Sequence, residues 1–439
     1  MPTDLQLLAH ALQTLQQGFD QKPDALPDDP AIGDALLQAA ERLHDNYPYF
    51  QDSYAGQMIK PPHAVARLAY MLALYINPNN HALDGGRASS AMEKEAIQQL
   101  AHMIGWTDAL AHLTSSGTIA NLEALWVAHR LHPHQKILAS SQAHYTHKRI
   151  SEVLGIDFEE IPYVYGQLDL QALEKRLQKG DVGTLVLTLG TTGMGIVEPL
   201  GQVLDLRDRY GFRLHLDAAY GGYFVLSETL SAEVRARYDQ IKAADSLVID
   251  PHKHGLQPYG CGAVLFRDAA VGRFYKHDSP YTYFSSEELH LGEISLECSR
   301  AGASAVALWT TLKVFPLERN GRFAREILDP CLAAARRLYT LLDADDRFLP
   351  VAYPDLDIVV WSPVGESLSA ASAESRRIFA AAAERGLHLA LLNYPAEQLP
   401  EAFEAFHRDQ PYLTCLRSCL MKPTHLDFVP ELWRIVATV

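Results

Sequence analysis

The sequence has few cysteines, no long apolar run and no excess of positive charge. Its five cysteines in 439 residues form no Cys-x-x-Cys pair, which argues against a zinc ribbon and against a disulfide framework. No segment approaches 18 consecutive apolar residues, and the polar N-terminus has no apolar signal-peptide core, so we expect neither a membrane span nor a signal peptide. The formal net charge of −15 argues against nucleic-acid and anionic-membrane partners, because both would repel an acidic surface. These absences predict a cytoplasmic protein with reduced thiols.

Short apolar runs alternate with helical patterns, which predicts an α/β fold with a mainly parallel sheet. The predicted strands are Lys136–Ala139, Gly183–Leu189, Arg213–Leu216, Ser246–Ile249 and Gly262–Phe266. The predicted helices between them include Ile119–Arg130, Leu170–Gln178 and Val203–Tyr210. The chain is too long for one typical domain. We therefore predict an N-terminal helical segment (1–75), a large domain (76–316) and a small C-terminal α/β domain (317–439).

A Ser/Thr/Gly segment, Thr114–Thr118, directly precedes one of these helices. Small residues let backbone N–H groups approach an anion, and a helix N-terminus adds positive potential. The hydroxyls of Ser116 and Thr118 add hydrogen-bond donors. The same residues are also favoured as an ordinary helix cap, so the segment alone leaves a phosphate site and a simple cap equally open.

Two further segments place a charged residue at the end of an apolar strand. Asp217 directly follows Leu214–Leu216 and precedes Ala-Ala-Tyr-Gly-Gly. Lys253 comes after Leu247–Ile249, within Asp-Pro-His-Lys-His-Gly. A turn aspartate and an exposed surface lysine are the ordinary interpretations. If Lys253 instead reaches a pocket, burial near other cations would lower its pKa and favour Schiff-base chemistry.

A histidine follows the strand that ends near Ala139. His144 could stack on a cofactor ring or move protons, although a structural role is common in a chain with 19 histidines. His147 lies three residues further on, but a third ligand is not evident from the sequence, so we expect no metal site.

Taken together, these segments supply each group that pyridoxal phosphate (PLP) requires. The Ser/Thr/Gly loop offers a phosphate cradle, His144 a stacking face, Asp217 a carboxylate for the pyridine nitrogen, and Lys253 an amine for the aldehyde. The carboxyl ends of parallel strands are where ligands bind in open α/β sheets. The sequence therefore predicts a PLP enzyme.

The same segments resemble the group II PLP-dependent amino-acid decarboxylases, which have the aspartate-aminotransferase-like fold (fold type I). The segments that carry the resemblance are SSGTIANLEAL, AHYTHK, LGTTGMG, HLDAAYGG, ADSLVIDPHKHG and SRAGASAVALW. Within the family, NPNNHALDGGRASSAMEKE and HKHGLQPYGCGAVLF are most similar to bacterial tyrosine decarboxylases. Those enzymes are longer than this chain.

The resemblance implies a role for each matching residue. Lys253 would hold the cofactor aldehyde, Asp217 the pyridine nitrogen, and His144 and Ala219 the two faces of the ring. The phosphate would be bound by Ser116, Gly117, Thr118 and His252, and Thr192 would lie near the ring or its 3′-oxygen. Asp250 is left out of the predicted site, because a carboxylate should not bind phosphate directly.

The resemblance also implies a tyrosine near the substrate and a tyrosine that donates a proton. Tyr259 matches the first. The proton donor should lie on a loop within Lys276–Glu293, with Tyr281 as first candidate and Tyr283 as second; surface packing is the alternative for both. Family members supply this loop to the neighbouring subunit, which predicts a homodimer with its active site at the interface.

We expect decarboxylation of an aromatic L-amino acid, tyrosine first, to its amine and carbon dioxide. Few cations near the substrate carboxylate would favour its departure, and Arg417 is the arginine that could act there. An acidic substrate, glutamate or aspartate, is the alternative within the class. Beyond this class, the sequence also leaves open an aldehyde synthase, a carbon–carbon lyase and, last, a non-enzymatic PLP-binding protein.

Overall fold

The computed structural model describes residues 3–20, 29–81, 83–276 and 295–439. The helices in these ranges are α1 (Asp4–Gln16), α2 (Pro30–Leu43), α3 (Ala64–Leu74), α4 (Leu83–Met103), α5 (Gly117–Leu131), α6 (Thr146–Leu154), α7 (Leu170–Leu177), α8 (Leu200–Tyr210), α9 (Ala232–Tyr238), α10 (Gly302–Val314), α11 (Asp329–Asp343), α12 (Leu368–Glu384) and α13 (His425–Thr438). The strands are β1 (Leu110–Thr114), β2 (Lys136–Ser140), β3 (Phe158–Ile161), β4 (Tyr163–Val164), β5 (Gln167–Leu168), β6 (Val182–Thr188), β7 (Arg213–Asp217), β8 (Ser246–Ile249), β9 (Gly262–Phe266), β10 (Phe348–Pro350), β11 (Ile358–Pro363), β12 (Ala390–Pro395) and β13 (Tyr412–Cys419).

The larger sheet in the described chain has seven strands in the order β1-β9-β8-β7-β6-β2-β3. Strands β3, β2, β6, β7 and β8 pair in parallel. Strand β9 is antiparallel to both β8 and β1, so β1 points in the same direction as the parallel strands. The predicted mainly parallel α/β fold is confirmed, and the strands that precede the candidate residues all end at one edge.

Burial explains which strands are predictable from the sequence. Strand β6 is buried at all seven positions, as expected for a parallel strand covered on both faces. Its sequence, VGTLVLT, has no charged residue, and its polar members are two threonines. Strands β8 and β9 have the predicted bounds. Strands β1 and β3 are not among the predicted strands. Their sequences, LAHLT and FEEI, are interrupted by a histidine or by two glutamates.

A second sheet in the C-terminal part has the order β10-β11-β13-β12 and is antiparallel throughout. Its core includes Trp361, Leu416 and Leu432, which are all fully buried. The N-terminal segment reaches this sheet, because the Ala55 N–H donates to the carbonyl of His388 and the Ala55 carbonyl accepts from Cys419 N–H. The two sheets lie on either side of the predicted boundary at 316/317. The boundaries themselves stay predictions.

Within the described ranges, the helices are all too short or too polar to cross a lipid bilayer.

Candidate active site

The loops that follow the parallel strands meet in one pocket. All the residues predicted to contact a cofactor line it: Ser116, Gly117, Thr118, His144, Thr192, Asp217, Ala219, His252 and Lys253. The sequence analysis did not place six further lining residues there: Asn121, Thr146, Thr188, Gly190, Tyr220 and Asp250. Because each segment follows a different strand, the order of the strands brings together groups that are up to 137 residues apart in the chain.

The lysine of the pocket is paired with carboxylates. Lys253 Nζ lies 3.1 Å from Asp250 Oδ2. Burial by itself would lower the pKa of the Lys253 amine, but the charges of Asp250 and Asp217 outweigh burial and raise this pKa. The expectation of a lowered pKa caused by neighbouring cations is therefore wrong. The charged groups beside Lys253 are carboxylates and not cations, and the order of residues in the sequence does not show which side chains face the amine.

Asp217 ends strand β7 and is fixed by two hydrogen bonds. Oδ1 accepts from the Ala219 N–H at 3.1 Å and Oδ2 accepts from His147 Nε2 at 2.8 Å. Burial would raise the pKa of Asp217, but the hydrogen bond and charge of His147, together with the charge of Lys253, hold it well below its ordinary value. The carboxylate is therefore ionised and keeps lone pairs free to accept a proton-bearing ligand from the pocket.

The N-terminus of α5 closes one end of the pocket. The Ser116 hydroxyl caps the helix by accepting from the Ile119 N–H at 3.3 Å, so the interpretation of this segment as a helix cap is correct. A Cβ at Gly117 would lie 2.6 Å from both carboxylate oxygens of Asp250, so this position requires glycine. The cap and the hydroxyls of Ser116 and Thr118 line the pocket together, and an anion could be bound beside them.

The two pocket histidines have different partners. His144 Nδ1 lies 2.8 Å from the Thr146 hydroxyl, which fixes the ring at the start of α6. His252 Nδ1 donates to the carbonyl of Cys261 at 2.7 Å. Burial, together with the charge of Lys253, lowers the pKa of both rings. A neutral His144 ring is suited to stacking on a planar ligand.

Arg417, on β13, donates hydrogen bonds mainly to backbone carbonyls. Its guanidinium donates to the carbonyls of Thr192 at 2.7 Å, Gly193 at 2.9 Å and Gly56 at 3.3 Å, and also contacts Gln57 Oε1. The donors of Arg417 are therefore largely occupied, which argues against the predicted action of Arg417 on a substrate carboxylate. The side chain instead joins the smaller sheet to the loop that presents Thr192.

A second set of contacts joins the smaller sheet to the segment that contains Lys253. The Tyr220 hydroxyl donates to Asp357 Oδ1 at 2.6 Å, and His254 Nε2 lies 3.2 Å from Asp357 Oδ2. Asp357 directly precedes β11, while His254 directly follows Lys253. The two sheets therefore jointly set the position of the pocket loops.

The predicted tyrosines lie outside the pocket lining or outside the described residues. Tyr259 packs against His252, with ring centroids 4.8 Å apart, and its hydroxyl donates to the Met58 carbonyl at 3.3 Å. Its side chain is largely exposed at the edge of the site. Tyr281 and Tyr283 lie in 277–294, outside the described residues, so the choice between them stays a prediction.

Sequence reasoning missed two residues that contact the central groups. Asp250 is absent from the predicted site because a carboxylate does not suit phosphate, yet its nearest charged partner is Lys253. The spacing of His147 from His144 suggests only a metal-binding role for His147, yet its ring hydrogen-bonds Asp217. In the described part of the chain, His, Cys, Asp and Glu side chains form no group of three or more that could hold a metal ion.

The residues present fit PLP. The pocket combines a capped helix N-terminus with hydroxyl donors, an ionised carboxylate with free lone pairs, and one amine. Ser116, Thr118 and His252 could bind the phosphate, Asp217 the ring nitrogen and Lys253 the aldehyde. When bound, PLP supplies an electron sink for the bond that breaks at the substrate α-carbon. Asp217 would then keep the ring nitrogen protonated, and His144 would orient the ring.

Comparisons with known proteins agree with this chemistry. Residues 19–362 match the pyridoxal-dependent decarboxylase conserved domain. An L-tyrosine decarboxylase of Enterococcus faecium is 26% identical over 80% of this chain and 75% of its own length. An L-aspartate decarboxylase of Thermococcus kodakarensis is 28% identical over 64% of this chain and 72% of its own length.

A solved structure of Oryza sativa TDC with PLP and tryptamine has the same fold. Its TM-score is 0.78 at 17% identity, covering 99% of this chain and 96% of that chain. The family match spans well over half of the sequence and includes every pocket residue named above. The chain therefore belongs to the pyridoxal-dependent decarboxylase family and is a PLP-dependent amino-acid decarboxylase.

Proposed function

We propose that the protein decarboxylates an aromatic L-amino acid, tyrosine first, and releases the amine and carbon dioxide. In this proposal Lys253 binds the cofactor aldehyde, Asp217 holds the ring nitrogen, and His144 and Ala219 contact the two ring faces. Ser116, Gly117, Thr118 and His252 bind the phosphate, and Thr192 lies near the ring.

The observation that carries the proposal is the charge of the pocket. Among the lining residues that the structure describes, Lys253 is the only lysine or arginine, and Asp250 already pairs with it. Arg417, close by, donates to backbone carbonyls. An acidic side chain would lose its hydration here without gaining a free cation, which is unfavourable. A neutral side chain avoids this cost.

Tyr259 supports an aromatic side chain in particular. Its ring lies beside His252 at the edge of the pocket, where it offers an apolar face and a hydroxyl to a neighbouring ring. The scarcity of free cations also favours loss of carbon dioxide, since a tight arginine pair would stabilise the substrate carboxylate before it leaves. L-Aspartate is the second candidate, because one relative acts on it.

A panel of the twenty standard amino acids should show tyrosine as the substrate with the highest kcat/KM. We expect L-aspartate to be at least about tenfold poorer, since its second carboxylate must be desolvated without a partner. Carbon dioxide, amine and aldehyde should be measured in the same reactions, so that amine formation is distinguished from aldehyde synthesis. A higher kcat/KM for aspartate or glutamate would overturn the aromatic assignment.

Tyr259→Phe provides the matched variant for the same panel. Loss of the hydroxyl should raise KM for tyrosine more than for phenylalanine, because only tyrosine carries a phenol that could pair with it. Equal effects on the two substrates would show that Tyr259 does not contact the substrate side chain.

We also propose that the protein is a homodimer whose active site lies at the subunit interface. Helix α2 has no buried residue in the chain, and Leu36, Leu37 and Leu43 are each about two-thirds exposed on it. An apolar helix face of this kind is typical of an interface. A second copy is the proposed partner, since Tyr281, or Tyr283 as second candidate, is proposed to act in the neighbouring subunit.

Analytical ultracentrifugation should give the mass of a dimer, and the double variant Leu36→Lys/Leu37→Lys should shift the protein toward monomer with loss of activity. Val153→Lys replaces an equally exposed apolar residue on α6 and should leave the dimer intact. A monomer with full activity in dilute solution would contradict the proposal.

A further inference from the structure

Two imidazoles lie near Asp217 at the start of α6. His144 precedes the helix and lines the pocket. His147 lies in the first turn of the helix and does not line the pocket. His147 Nε2 is 2.8 Å from Asp217 Oδ2, and both side chains are almost fully buried. The contact joins two buried side chains that are 70 residues apart in the chain.

The hydrogen bond has a defined direction. Asp217 is ionised and can only accept, so the Nε2 atom of His147 must carry the hydrogen. The other carboxylate oxygen accepts from the Ala219 N–H. Among the described side chains, His147 is the one that hydrogen-bonds this carboxylate. Together with the Ala219 N–H it fixes the plane of the Asp217 carboxylate, and thereby the direction of the oxygen lone pairs that remain free.

Other titratable groups surround Asp217 without hydrogen-bonding it. Lys253 and His144 face it from the pocket. Glu198 accepts from the Thr188 N–H at the end of β6, and burial raises the pKa of Glu198 to about 7. His215, two residues before Asp217 on β7, is held by Asn121 and Ser246. Removal of His147 would therefore leave Asp217 with one backbone donor in a buried setting, where a carboxylate prefers to take up a proton.

We propose that His147 is a positioning residue that keeps the shared proton on the ring nitrogen of the cofactor by holding Asp217 ionised. The proposal rests on the proposed role of Asp217. A buried carboxylate and a pyridine nitrogen compete for one proton, and a donor to the carboxylate favours the form in which the nitrogen carries it. His147 does this without touching the cofactor.

The test compares His147→Phe, which keeps the ring shape but has no donor, with His147→Gln, which keeps a neutral N–H donor. Each protein is loaded with PLP labelled with ¹⁵N in the ring, and the ¹⁵N resonance reports whether the nitrogen is protonated. In His147→Phe the resonance should move toward the unprotonated position, and kcat should fall about ten- to a hundredfold, as expected for loss of a hydrogen bond to a charge. PLP affinity should fall by less than about tenfold.

His147→Gln should return the resonance to the protonated position and recover most of kcat. The matched control is His112→Phe, because His112 also pairs with a buried carboxylate, Glu123, at 2.9 Å but lies outside the pocket lining. It should lower the melting temperature without moving the ring ¹⁵N resonance. Thermal unfolding of each variant separates loss of folding from loss of positioning.

Asp217→Asn separates the two levels of the proposal. If Asp217→Asn leaves the ring nitrogen protonated, the assigned role of Asp217 fails. If Asp217→Asn moves the resonance but His147→Phe does not, only the role of His147 fails. A normal resonance in both His147 variants together with a lowered melting temperature would show that His147 is merely structural.

Discussion

Replacement of Lys253 by alanine should abolish covalent attachment of PLP and lower kcat by at least about 10⁴-fold, the scale that follows loss of a covalently acting group. The expectation follows from the pocket, where Lys253 is the only described primary amine. No other lysine in the described lining could replace it.

Wild-type protein loaded with PLP should be yellow, and borohydride should join the cofactor permanently to a peptide that contains Lys253. Mass spectrometry of the digested protein identifies that peptide. Lys242→Ala removes an exposed lysine outside the pocket lining and should leave labelling unchanged. Recovery of the label on another lysine would show that the attachment site has been assigned wrongly.

Asp217→Asn should bind PLP yet lose about a hundred- to a thousandfold in kcat, the scale for removal of one preorganised charged or donor group. The amide is neutral, so it cannot hold the proton on the ring nitrogen, and the electron sink weakens. PLP affinity should change much less, because the phosphate loop and Lys253 remain.

Asp250→Asn is the matched control for this prediction, since Asp250 is a second buried carboxylate of the same pocket. It contacts Lys253 and packs on Gly117, without a hydrogen bond to His147. We expect a smaller loss of kcat than for Asp217→Asn. Near-normal turnover of Asp217→Asn, with a large loss for Asp250→Asn, would mean that the two carboxylates have been assigned in the wrong order.

The pH dependence of folding should also report Asp217. Its pKa in the folded protein lies below the unfolded value, so its contribution to stability is present above the unfolded pKa and is lost as the pH falls through the folded pKa. Acid unfolding of Asp217→Asn should therefore be less steep than that of the wild type.

Several strands of the larger sheet and the local identity of the pocket residues followed from the sequence. Strands β8 and β9 form as predicted because both are fully buried and apolar apart from Ser246, and such a run can be recognised without tertiary information. Ser116, Asp217 and Lys253 could each be placed at a strand end, and parallel strands end at one edge. The pocket lining therefore contains every predicted cofactor residue.

The partners of those residues did not follow from the sequence. Asp250 as the counter-charge of Lys253, His147 as the donor to Asp217, and Arg417 as a tie to the Thr192 carbonyl each depend on side-chain directions. His147 is three residues from His144, and that spacing alone does not show which of the two rings faces a ligand. The structure places only one of the two rings in the pocket lining.

The sequence by itself thus determined the α/β fold, the chemistry at the strand ends and the family, because burial periodicity and short-range spacing are encoded locally. Only the tertiary structure decided the charge state of Lys253, the support of Asp217 and the use of Arg417. These properties arise from atoms within about 3 Å of each other, which for Asp217 and Arg417 belong to segments far apart in the chain and for Lys253 depend on how two side chains of one segment turn. Electrostatic and hydrogen-bond energies depend on those distances and on burial, and neither is specified by a residue's position in the chain.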